Sequence, residues 1–67
     1  MPRLTLEAAR VNKGLTQKEL AEKMSVSRET VIAWETGKRQ MRPAYVYLFC
    51  NITGVGEDDI ILPLITT

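Results

Sequence analysis

The side chains able to do chemistry in this 67-residue chain are its cations, and they are confined to one part of it. All nine Lys and Arg residues lie between Arg3 and Arg42, where nine bases against five glutamates leave +4. From Pro43 onward there is no base, and Glu57, Asp58 and Asp59 give −3. A molecule divided in this way can offer one end to phosphate and hold the other away. Its net charge of only +1 implies modest non-specific affinity for a polyanion. Within the basic part, Lys38, Arg39 and Arg42 fall close together with no acid between them. That pattern favours phosphate contact over a merely solvated surface. Arg28 stands apart from this cluster.

Other chemistry is poorly provided for. With no histidine and a single cysteine, Cys50, the chain has no disulfide partner and is not expected to hold a metal or another cofactor. There is no glycine-rich phosphate loop, and capping explains the carboxylates at helix starts, so an enzyme is not expected. Cys50 lies among Tyr47, Phe49 and Ile52 and reads as a small packed hydrophobe without a redox duty. No stretch approaches the roughly 18 apolar residues of a membrane span, and no signal pattern opens the chain, which predicts a cytoplasmic protein with no membrane partner. A hydrophobic content of 45% with 25% charge is that of a folded globular chain. Residues 1–67 are expected to form one domain whose core is small enough for a dimer interface to supplement it.

The elements that position the cations can be read from caps and turns. Thr16 stands three residues before Glu19, a capping box that starts a helix carrying Leu20, Ala21 and Met24 on one face. Ser27 then caps a second helix, with Glu29 in its first turn, Val31 and Trp34 sharing a face, and Gly37 as its stop. Only about three residues remain between the two for a turn, so residues 16–36 predict a helix-turn-helix whose second helix projects from the surface. Before it, Thr5 caps a helix over Leu6–Lys13 that ends at Gly14, with Leu6 and Ala9 facing inward and Val11 as a third candidate. After it, Pro43 opens a fourth helix to about Ile52. The acids of Gly56–Asp59 predict a short fifth helix running into Ile60, Ile61 and Leu62, ended by Pro63. Residues 64–67 suit an extended strand or a frayed tail. The fold class predicted is a compact all-α, five-helix domain with a short extended C-terminal tail as an option.

Gly14-Leu15-Thr16-Gln17, Glu19-Leu20-Ala21, Val26-Ser27-Arg28, Trp34-Glu35 and Gly37-Lys38-Arg39 together resemble the Cro/CI-type (Xre-like) helix-turn-helix family of phage and bacterial repressors. The likeness spans about Leu6 to Leu62 and is most specific in the middle. It implies a lambda-repressor-like fold, double-stranded DNA as partner, a third helix lying in the major groove and a two-fold dimer on its operator. It also implies that Ser27, Arg28, Glu29 and Ala33 face bases. Gln17, Thr30, Lys38, Arg39 and Arg42 would meet phosphate, with Ile32 as an edge contact to a thymine methyl. Glu29 can accept from a cytosine amino group, or instead stabilise the helix start or tether Arg28. By the same resemblance Arg10 and Glu35 pair between the first and third helices as a structural ion pair, and neither is a DNA contact. Trp34 belongs to the core by its face. Where the family usually has glycine this chain has Ser25, at a turn position with left-handed backbone, at a cost of roughly 1 kcal/mol.

Tyr45, Tyr47 and Leu48, with Val46, Phe49 and Ile52, make the fourth helix apolar nearly all round. That excess, together with Ile61, Leu62 and Leu64, predicts an isologous homodimer built from the fourth and fifth helices and the tail. A sequence-specific transcriptional regulator, most simply a repressor, is the function implied; without a second domain a compact Cro-like regulator is expected rather than an inducible repressor. Two alternatives stay open. The chain can be an antitoxin whose apolar half holds a toxin partner while it regulates its own operon, or an interaction module that has lost DNA binding.

Overall fold

A computed structural model describes residues 3–63. A two-residue strand, β1 (Leu4–Thr5), leads directly into α1 (Leu6–Asn12), because the Thr5 hydroxyl accepts from the Ala8 amide at 3.1 Å and satisfies one of the helix's open donors. The next helix, α2 (Gln17–Met24), starts with both halves of a capping box. Thr16 Oγ1 accepts from the Glu19 amide at 3.0 Å, and Glu19 Oε1 accepts from the Thr16 amide at 2.9 Å. These bonds from Thr16 hold the Glu19 carboxyl below the ordinary carboxylate range.

Ser25 ends α2 with φ 59° and ψ 40°, the one non-glycine residue with positive φ among those described. Its left-handed backbone turns the chain within three residues so that α3 (Arg28–Thr36) can cross α2 and pack closely on it. Serine bears a Cβ that this conformation disfavours. Ser25→Gly should therefore raise stability by about 1 kcal/mol, a rise of ~4–8 °C in Tm in a thermal melt followed by circular dichroism. An unchanged or lower Tm would show that the turn is unstrained.

The last α-helix, α4 (Pro43–Thr53), opens on the proline whose missing N–H costs nothing in a first turn. Its Phe49 is fully buried and centres a core that gathers Leu6 and Ala9 of α1, Leu20, Ala21 and Met24 of α2, Val31 and Trp34 of α3, Met41, Cys50 and Ile60. Burial pushes the Cys50 thiol up, with a smaller push from Glu57. Val11 lies outside this core at 57% exposure, on the flank of a two-turn helix that turns Leu6, Ala9 and Arg10 inward instead.

Two expectations need correction. The described residues hold four α-helices, not five, and they are not all-α. Glu57–Asp59 forms only a single 3-10 turn, after which Ile60–Ile61 becomes a strand, β2, running parallel to β1 with Leu4 opposite Ile60 and Thr5 opposite Ile61. Three acids can favour a helix start, but one turn does not repay helix nucleation. The β-branched pair that follows suits an extended backbone, alternating Ile60 in and Ile61 out. A ladder partner waits at Leu4–Thr5, supplied by the far end of the chain. Residues 64–67, including Leu64, lie outside the described part. No helix among the described residues is long and apolar enough to cross a membrane.

Candidate nucleic-acid interface

α3 is anchored on one side and free on the other. Val31 and Trp34 face the core, whereas Arg28, Glu29 and Thr36 are exposed and Ile32 and Ala33 are half-buried. At 100° per residue these last five occupy one continuous arc opposite Val31 and Trp34. Ser27 caps the helix, its Oγ accepting from the Thr30 amide at 3.2 Å and lying 2.8 Å from Thr30 Oγ1. One of the two hydroxyls at this helix start donates to the other, which keeps its own hydrogen. Arg28 and Glu29 form no ion pair among the described residues, so Glu29 does not tether its neighbour there.

Internal polar contacts orient the helix. Glu35, 5% exposed at its side chain, receives Arg10 Nε at 2.7 Å and Nη2 at 3.4 Å. Arg10, itself buried in α1, also donates to the Leu15 carbonyl at 2.8 Å, and Gln17 Nε2 donates to Glu35 at 3.1 Å. One carboxylate thus ties α3 to α1 and to the start of α2. No buried side-chain polar atom among the described residues lacks a partner. Gln17 is half-buried with its amide nitrogen turned to Glu35.

Lys38, Arg39 and Arg42 are all exposed in the loop between α3 and α4. Arg39 and Arg42 line a groove of about 600 Å³ together with Ser27, Thr30, Gln40, Trp34 and Tyr45. The groove joins the start of α3 to the basic loop, and the Trp34 and Tyr45 rings lie 5.1 Å apart at 46° along its wall. Tyr45 therefore stands at the basic end and apart from Tyr47, because residues two apart on a helix point in nearly opposite directions. Tyr47 is 62% exposed and borders a different hollow, with Cys50, Asn51 and Glu57. Leu48 is half-buried against the core, while Ile61 and Leu62 are exposed.

Sequence reasoning missed three features of this surface. Gln40 and Tyr45 reach the groove through the path of the loop, for which no local pattern exists. Thr36 was legible: it lies four residues beyond Ile32 and eight beyond Arg28, on the same stripe.

No curated protein and no solved structure is significantly similar to this chain. The profile of the helix-turn-helix family, in contrast, matches residues 6–60, from the start of α1 into β2. That match covers the capped helix pair, the left-handed turn and the basic loop alike. The chain belongs to the Cro/CI-type (Xre-like) helix-turn-helix family and is a DNA-binding transcription regulator.

Proposed function

We propose that the protein represses transcription by occupying a two-fold operator as a homodimer, with α3 of each protomer in the major groove. The observation that carries this reading is the outward arc of α3. It begins at Arg28 and Glu29, which form no ion pair among the described residues, and is bordered by the exposed cations of the following loop. In that pose Arg28 addresses guanine, and Ser27, Glu29 and Ala33 lie along the base edges. Thr30, Lys38, Arg39, Arg42 and the start of α2 at Gln17 meet phosphates. Exposed Tyr47, Ile61 and Leu62 supply apolar surface for pairing two copies. Half-sites should then lie ~34 Å apart on one face of the duplex.

Selection of bound fragments from random DNA tests the reading directly. A two-fold-symmetric consensus supports it, and no enrichment would sink it. On the selected site, Arg28→Ala is expected to cost about 1–3 kcal/mol and to relax preference at one base pair per half-site. Equal loss on every operator variant in a competition assay would remove Arg28 from base recognition.

A further inference from the structure

The arc of α3 divides into a charged part, Arg28 and Glu29, and an uncharged part, Ile32, Ala33 and Thr36. Thr36 Oγ1 donates to the Ile32 carbonyl at 2.9 Å and approaches the Ala33 carbonyl at 3.4 Å, so its hydroxyl hydrogen is taken up by its own helix on an exposed side chain that also carries a methyl. Ile32 stands outside the hydrophobic core cluster although it is β-branched, apolar and only half-buried. Ala33 lies beside it on the same arc. At the other side of the helix start, Ser27 and Thr30 bond each other. Past Glu29, the arc therefore carries no charge, and the hydrogen of its one hydroxyl, on Thr36, is already given to the helix.

Resting on the major-groove reading above, we infer that α3 recognises half-sites in which the base pair met by Arg28 adjoins thymines, read through their 5-methyl groups by Ile32, Ala33 and the Thr36 methyl. Of the four base edges in the major groove only thymine carries an apolar group, and an apolar side chain set against the others leaves their donors and acceptors unpaired. The specificity is thus split: hydrogen bonding at the first turn of the helix, and methyl packing along the rest.

The test uses the full chain and the duplex chosen by selection. Thymines of the half-site are replaced one at a time by deoxyuridine, which removes the methyl and keeps the pairing. One or two positions per half-site should weaken binding about fourfold each, the factor corresponding to loss of one buried methyl-sized group. Cytosine should not restore those positions, but 5-methylcytosine should recover part of the loss. The uridine penalty should shrink in Ile32→Ala and in Thr36→Ser, the latter keeping the hydroxyl bonds to the helix. Operator binding that ignores every uridine replacement would overturn the inference while leaving the DNA-binding reading intact. A penalty that persists undiminished in both variants would overturn it too, and failure to select any DNA would overturn both readings together.

Discussion

Glu35→Ala is expected to destabilise the fold by about 3–5 kcal/mol, because it leaves the buried Arg10 guanidinium without its carboxylate. In the wild type that guanidinium meets Glu35 at 2.7 Å; what remains is the Leu15 carbonyl and Glu7, 4.0 Å away and 67% exposed at its side chain. The solvated Glu7 cannot replace a carboxylate that is 5% exposed. A domain of this size has a total stability of only roughly 3–10 kcal/mol, so the variant should be largely unfolded well below the melting temperature of the parent. Chemical denaturation reads the loss directly. Arg10→Met combined with Glu35→Leu should restore most of it, since replacing a buried pair by apolar groups of similar size is often neutral. DNA affinity of that double variant should still fall, as the carboxylate that ties α3 to α1 and Gln17 is gone. If Glu35→Ala melts within about 1 kcal/mol of the parent, the pair is not desolvated as its burial indicates.

Replacing Lys38, Arg39 and Arg42 together by alanine should lower operator affinity by about 100- to 1,000-fold in low salt and leave the fold intact. All three side chains are exposed and none is in an ion pair among the described residues, so stability is not at stake. Each phosphate contact contributes about 0.9 to the slope of log K against log salt, so the slope should flatten by about 2.7 if all three engage the backbone. Because phosphates carry no sequence information, preference among operator variants should be unchanged. This outcome is opposite in kind to that of Arg28→Ala, which alters preference with little effect on the salt slope. A triple variant with an unchanged slope would show that the loop does not touch DNA.

Much of this surface is legible before folding because it depends on short-range rules. Thr16 with Glu19, Ser27 with Thr30 and the glycine at position 37 act within three or four residues, and each forms the cap its spacing predicts. The inward face of α3 likewise follows from helical periodicity alone. Local rules fail where two distant segments choose a conformation together. The acids at Glu57–Asp59 favour a helix start, yet Ile60 and Ile61 extend because the backbone of Leu4 and Thr5 is there to pair with. Tyr45 belongs by sequence to an apolar helix and by position to the basic groove. Its location depends on how the loop of Gly37 to Arg42 brings α4 back beside Trp34.

The sequence by itself determined the helix pair, its turn at Ser25, the inward and outward faces of α3 and the confinement of all basic charge to the first 42 residues, since each is a property of neighbours along the chain. Only the tertiary structure decided that Gln17 joins Arg10 on Glu35 and that the N- and C-terminal segments form a parallel strand pair. It also decided that Ser27, Thr30, Arg39 and Arg42 share one groove. These are encounters between residues far apart in sequence, created when burial of Phe49, Trp34 and Leu20 draws four short helices around one core, and no local preference encodes them.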